Sequence, residues 1–290
     1  MHEIRYSAPS SVDDAVALLA DANAAARVLG GGTDLLIQLR AGTNDARHLV
    51  DVKRIAELNV LAFTAASGLR IGAAVPCHRL AEDADARATY PGLVEAAALI
   101  GSTQIQSRAT IAGNLCNGSP AADTTPALIA LGALALVQGP GGQREIPVAD
   151  FVLAPGRTAL APGELLVEIR VPTPAPHSAD CYQRFIPRNE MDIAVVGVGA
   201  ALTITGGRCT AARIALGAVA PTPLVASEAA QALLGTTLDD GALDRAAQAA
   251  VALARPISDL RAPAEFRREI TGVLTRRVLA EAARRARQKA

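Results

Sequence analysis

The sequence predicts an α+β fold in two parts, and three observations carry that prediction. In the N-terminal half, short apolar runs of strand length alternate with segments of helical periodicity. After a Pro-rich polar stretch, Thr173–Asp180, the pattern changes to long strands followed by helices only. Half of the 290 residues are hydrophobic, yet only 2% are aromatic and none is Trp, so the core of both parts is built from Ala, Leu, Val and Ile. Alternation alone also admits a doubly wound parallel sheet.

The first helix is predicted in "SSVDDAVALLADA", where Val12, Ala15, Val16 and Leu19 fall at i, i+3, i+4 and i+7. Ser10 or Ser11 with Asp13 and Asp14 supplies its N-terminal signal. "ARVL" is a short strand that runs into "GGGTD", and "LLIQLRAG" is a helix ending near Gly42. "HLVDV" and "LRIGAAV" are strands. A helix covers Leu93 to Ile100 behind Pro91, and "TTPALIALGA" is a helix with Pro126 in its first turn. "LALVQGPGGQREI" is a hairpin, and "ELLVEIRVP" a strand with Leu165, Val167, Ile169 and Val171 on one side. Beyond Asp180, "DIAVVGVGAALTI", the turn "TGGR" and "CTAARIALGAV" form a long antiparallel hairpin. "SEAAQALLG", "GALDRAAQAAVALA" and a closing helix from about Ala262 complete the chain. In that last helix Phe266, Ile270, Val273 and Leu274 mark one face, and the basic end "ARRARQK" suits the negative pole of the helix dipole.

Lys+Arg and Asp+Glu both count 28, a balance that argues against nucleic acid or a membrane surface as main partner and fits a subunit of an assembly. Cys77, Cys116, Cys181 and Cys209 are scattered, which signals neither a zinc site nor an iron–sulfur cluster and suits a reducing compartment. No apolar run reaches membrane-spanning length, and the expectation is a soluble, cytoplasmic protein.

Two glycine-rich stretches stand out. "LGGGTDLL" is a strand leading to three glycines with Thr33 and Asp34 at a helix start, so that successive N–H groups can face an anion. It is neither G-x-G-x-x-G nor a Walker loop, and a plain structural turn stands beside the anion-binding reading. "RATIAGNLCNGSPAAD" repeats the device: Thr110, Gly113, Asn114 and Asn117 offer donors and bare backbone. Asp123 either accepts from a ribose hydroxyl or caps the helix that follows. Two such loops can embrace a diphosphate from two sides. His2, His48, His78 and His177 are isolated, and no nucleophile–base or paired-carboxylate spacing appears, so a bound cofactor carries whatever chemistry there is.

At these residues a family resemblance becomes specific. "VLGGGTDLL", "QIQSRATIAGNLCNGSPAADTTPALIALGA", "MDIAVVGVGAAL" and "RPISDLRAPAEFRREITGVLTRR" resemble the FAD-binding subunit of the molybdenum hydroxylases, the medium subunit of carbon monoxide dehydrogenase and the flavin domain of xanthine dehydrogenase. The resemblance covers essentially the whole chain. It implies the two-lobed FAD-binding fold of the vanillyl-alcohol oxidase type over residues 1–176, with lobes at about 1–57 and 58–176. A C-terminal domain of antiparallel strands and helices would occupy residues 177–290.

The resemblance also implies site residues. Val28, Leu29, Gly30, Gly31, Gly32, Thr33, Asp34 and Leu35 would wrap the FAD diphosphate, and Thr110, Ile111, Ala112, Gly113 and Asn114 would form the second loop. Asp123 would bind the ribose or adenine portion, with Ile100 and Leu166 lining the pocket. Two departures stand out. Ala112 replaces a frequent family glycine, which requires a negative φ there. Arg184 stands where a cofactor-proximal lysine is expected, keeping the charge but changing reach. Tyr182 packs near the ring system or serves as an ordinary strand aromatic, and Cys116 reads as a small buried thiol.

The implied function is a relay. Substrate is hydroxylated at a molybdenum cofactor on a large subunit, electrons pass through two 2Fe-2S clusters on a small iron–sulfur subunit, and FAD on this chain hands them to an external acceptor. No catalytic side chain and no metal ligand is expected here. The implied assembly is a dimer of heterotrimers. The alternatives are a stand-alone FAD-dependent oxidoreductase of the same fold and a cofactor-free assembly subunit.

Overall fold

A computed structural model describes residues 3–21, 25–189 and 191–289. The first lobe comprises strand β1 (Arg5–Ser7), helix α1 (Val12–Asp21), β2 (Ala26–Leu29), α2 (Leu35–Ala41) and β3 (His48–Asp51). Its three strands form a parallel sheet in the order β1-β3-β2. Helix α1 buries Val12, Ala15, Val16 and Leu19, the four positions the spacing predicts, and touches both this sheet and the next.

The second lobe contains β4 (Leu61–Thr64), β5 (Gly68–Gly72), α3 (Cys77–Glu82), α4 (Ala84–Thr89), α5 (Pro91–Ala98), α6 (Thr103–Gln106), α7 (Ile111–Cys116) and α8 (Thr124–Ala130). It continues with β6 (Leu134–Gly139), β7 (Gly142–Pro147), β8 (Val152–Ala154), β9 (Arg157–Thr158) and β10 (Leu165–Val171). Five of these strands form an antiparallel sheet in the order β4-β5-β10-β6-β7, which rules out the doubly wound alternative. The central β10 is buried on both faces rather than on one, and a bulge interrupts its register between Leu166 and Glu168. Glu168 is 2% exposed and paired with Arg70 (2.6 Å) and Arg170 (2.7 Å). Burial disfavours its charge, but hydrogen bonds from the two guanidinium groups prevail and hold the carboxyl below its ordinary range.

The chain then enters a four-stranded antiparallel sheet of β11 (Ser178–Phe185), β12 (Val196–Thr205), β13 (Arg208–Gly217) and β14 (Leu224–Val225). Helices α9 (Ser227–Gln231), α10 (Asp240–Leu253) and α11 (Ala264–Gln288) follow. Strand alternation gives this sheet two different partners. Val196, Val198, Ala200, Leu202 and Ile204 join the core shared with α10 and α11. Tyr182 and Ala215 point the other way and belong to the core of the preceding lobe. Helix α8 lies against β12 and β13 on that side, where a Cβ on Gly199 would stand 2.6 Å from the Pro126 carbonyl oxygen. Only glycine permits that approach.

Helix α11 is rotated from the expected face. Val273 is 41% exposed, Phe266 and Ile270 pack only at the rim, and the buried line runs through Arg267, Thr271, Leu274, Val278, Ala282 and Ala286. Arg267 can enter the core because its guanidinium donates to the carbonyl oxygen of Val195 (2.9 Å) and to Asp259 (2.7 Å). Among the described residues no helix is long and apolar enough to cross a membrane.

Candidate functional site

The two glycine-rich stretches meet. Strand β2 delivers Gly30–Asp34 to the start of α2, and Arg108–Thr110 delivers the chain to the start of α7. A Cβ on Gly31 would overlap the carbonyl oxygen of Arg108 and lie 2.9 Å from Ala109 Cα, so the loops touch backbone to backbone. Lys53 Nζ donates to the Gly30 carbonyl (3.2 Å) and pairs with Asp51 (2.7 Å), whose other oxygen accepts from Tyr6 Oη (2.6 Å). The second loop is tied to the five-stranded lobe by the Cys77 N–H to the Ala109 carbonyl (2.8 Å). Gln38 donates through Nε2 to Asn117 Oδ1 (3.2 Å) and accepts from Asn44 Nδ2 through Oε1 (3.3 Å).

Between the loops and the start of β10 lies a cavity of about 560 Å³, within the range of cofactor sites. Val28, Gly30, Gly31, Gly32, Thr33, Asp34, Leu35, Ile100, Thr110, Ala112, Gly113, Asn114 and Leu166 line it. Four residues expected there stand outside the wall. Leu29 alternates away from Val28 into a small core with Ala46 and Leu49. Ile111 turns with Leu115 into the main core, four residues apart on one helical face. Asp123 and Arg184 are engaged with each other at the junction with the C-terminal sheet.

The second stretch is a helix start rather than an open loop. The Thr110 hydroxyl accepts the N–H of Gly113 (2.9 Å) and N-caps α7. Ala112 sits inside that helix, outside the positive-φ residues, so the departure from glycine is met by the backbone. Its methyl is buried.

Asp123 makes no side-chain cap bond to α8. Instead its carboxylate accepts from Tyr182 Oη (2.8 Å) and Arg184 Nη1 (2.6 Å). Burial pushes its pKa up to about 6, against the pull of the Arg184 charge and the two hydrogen bonds. Burial, with Asp123 alongside, raises the Tyr182 phenol well above its usual range. Burial likewise pushes the Cys116 thiol, which lies on the cavity wall, up to about 12, so it carries no thiolate near neutral pH.

The histidines stay apart from the cavity: His48 bonds Ser7 (2.9 Å), His177 bonds the Lys289 carbonyl (2.7 Å), and His78 lies on α3. His2 lies outside the described residues. Among the described residues no cluster of His, Cys, Asp and Glu could hold a metal ion. Sequence reading missed the Gly156–Leu165 segment of the wall and Val52, Ala73 and Arg27. Nothing in their local sequence marks them, because topology alone brings them to the cavity.

Residues 2–174 match the family described as the FAD binding domain in molybdopterin dehydrogenase, and residues 182–282 match the CO dehydrogenase flavoprotein C-terminal domain. The chain belongs to this family. It is 38% identical to the carbon monoxide dehydrogenase medium chain of Afipia carboxidovorans, over 97% of each chain. It is 34% identical to the xanthine dehydrogenase FAD-binding subunit of Escherichia coli, over 96% of this chain and 95% of that one. The structure superimposes on reconstituted CO dehydrogenase from Oligotropha carboxidovorans with a TM-score of 0.94 at 37% identity, covering 98% of this chain and 99% of that one. Quinoline 2-oxidoreductase from Pseudomonas putida gives 0.91 at 31% identity, covering 98% of each. The chain is thus an FAD-dependent oxidoreductase subunit with the two-part flavoprotein fold.

The residues present fit FAD. Among the described residues, the N–H groups of Gly30, Gly31, Gly32, Thr33 and Asp34 donate to no protein acceptor, and all five residues line the cavity. Such a set of donors suits a diphosphate. Apolar Val28, Ile100, Leu165 and Leu166 supply surface for the rings.

Proposed function

We propose that this chain is the electron-transfer subunit of a molybdenum-containing dehydrogenase. Bound FAD would take electrons from iron–sulfur clusters of a small partner subunit, downstream of a molybdenum cofactor on a large one, and pass them to an external acceptor. The observation that carries this reading is the cavity itself. It offers backbone donors without protein acceptors, together with apolar walls.

Within that reading, Gly30–Asp34 hold the diphosphate through backbone N–H groups, with Lys53 fixing the loop from behind. Thr110 shapes the second loop by capping α7, and Asn114 offers its amide NH2 to the cavity while its oxygen is bound to Thr124. Ile100 and Leu166 shield the cofactor from water. The domains are residues 1–176 and 177–290, a division supported by the family regions ending at 174 and beginning at 182. A cytoplasmic dimer of heterotrimers is the assembly this role calls for.

Purification of the chain followed by FAD titration tests the reading. The expected result is a yellow protein with stoichiometric FAD and no turnover of small substrates in the absence of partner subunits. Colourless protein that takes up no FAD overturns it. Turnover of a small substrate by the chain alone would make it a stand-alone oxidoreductase.

A further inference from the structure

Among the described residues, two side-chain clusters join the C-terminal domain to the preceding lobe, beside a backbone bond from the Ala218 N–H to the Pro120 carbonyl (2.7 Å), and the two clusters differ in their relation to the cavity. In the first, Tyr182 and Arg184, two residues apart on the same face of β11, both donate to Asp123. Asp123 is 7% exposed and the Arg184 side chain 6%. A carboxylate buried to that degree goes where its donors are, because leaving it unpaired is costly. The next residue, Thr124, donates its hydroxyl (2.7 Å) and N–H (3.4 Å) to Asn114 Oδ1. Asn114 lines the cavity.

In the second contact, Asp180 accepts the N–H of Leu93 at the start of α5 (3.0 Å). Glu95 pairs with Arg285 of α11 and accepts the Tyr182 N–H (3.3 Å). No residue of α5 lines the cavity. The two contacts thus share one interface and one strand, and differ in what lies behind them.

We propose that Asp123, clamped by Tyr182 and Arg184 of the C-terminal domain, is a positioning residue that sets the orientation of the Asn114 amide in the flavin cavity through Thr124. The inference rests on the reading that this cavity holds FAD. The C-terminal domain then contributes to cofactor affinity without touching the cavity wall. Its donors place Asp123, the adjoining peptide places the Thr124 hydroxyl, and that hydroxyl commits the Asn114 oxygen so that the NH2 end faces the cofactor. Charge-assisted hydrogen bonds are short and directional enough to transmit such a placement.

The experiment measures FAD dissociation constants and flavin absorption spectra for the full-length apo chain, alongside thermal midpoints without FAD. Tyr182→Phe cuts the chain at the domain interface, and Thr124→Val cuts it at the cavity while leaving the interface contact intact. Each is expected to weaken FAD about tenfold and to alter the flavin absorption bands. The double variant should be no more than about twofold weaker than the weaker single, since both cut one path. Glu95→Gln takes the charge out of the second contact while leaving its Asp180–Leu93 bond, and should lower the thermal midpoint with the FAD constant within about twofold of the parent.

The proposal is overturned if both Tyr182→Phe and Thr124→Val bind FAD like the parent, or if their effects multiply. It is overturned equally if Glu95→Gln weakens FAD as much as they do. Should Tyr182→Phe fail to fold, Thr124→Val and Glu95→Gln decide the matter. A parent chain that takes up no FAD refutes the flavin reading itself, an outcome separate from all of these.

Discussion

The two glycine-bearing loops face the same cavity but are built on different principles. Gly30–Asp34 is an extended turn whose donors are free because no helix or strand claims them, and its shape is imposed from outside by Lys53 and by contact with Arg108. Thr110–Asn114 is the first turn of a helix and shapes itself, with the Thr110 hydroxyl holding the Gly113 N–H. The first loop therefore depends on its surroundings and the second on its own sequence. This difference also explains why glycine recurs in the first loop, whereas an alanine is tolerated at position 112 of the second.

The sharpest way to break the comparison is Gly31→Val. The valine Cβ would overlap the Arg108 carbonyl oxygen, so the loops must separate. We expect a loss of about 3 kcal/mol of stability or more, by the overpacking mechanism, and FAD affinity below detection in a fluorescence titration. Parent-like binding would show that the two backbones need not touch. Thr110→Val keeps the volume and deletes the cap. A loss of about 1 kcal/mol is expected in chemical denaturation, with FAD weakened about fivefold; an unchanged constant would mean that α7 holds its start without the hydroxyl. The smallest effect belongs to Lys53→Met, which removes the outside support of the first loop. Its partly exposed ion pair with Asp51 contributes up to about 1 kcal/mol. FAD should weaken two- to threefold, and the thermal midpoint should barely move. If Lys53→Met proved costlier than Thr110→Val, the order of dependence between the loops would be reversed.

Much of this architecture can be read from the residues because local rules agree with the global result. Val12, Ala15, Val16 and Leu19 announce α1 by spacing and are all buried in it. The hairpin β12–β13 and the change of pattern near Thr173 are as plain. Legibility fails where a partner decides the outcome. Asp123 carries the sequence signature of a helix cap, yet a tyrosine and an arginine some 60 positions later claim its carboxylate. Arg267 carries no mark of burial in its local sequence, since it is the carbonyl oxygen of Val195 and the carboxylate of Asp259 that let its guanidinium enter the core. The Gly156–Leu165 wall of the cavity has no mark of its own, since only the pairing of β10 with β5 and β6 carries it there.

Tyr182 packs in the core of the lobe that precedes its own domain. A chain divided at residue 176 would leave the first piece with a void the size of a phenol and the second with that phenol in water. The pieces are therefore expected to melt together as a single cooperative unit in calorimetry, and neither half should serve as an autonomous module for fusion or exchange.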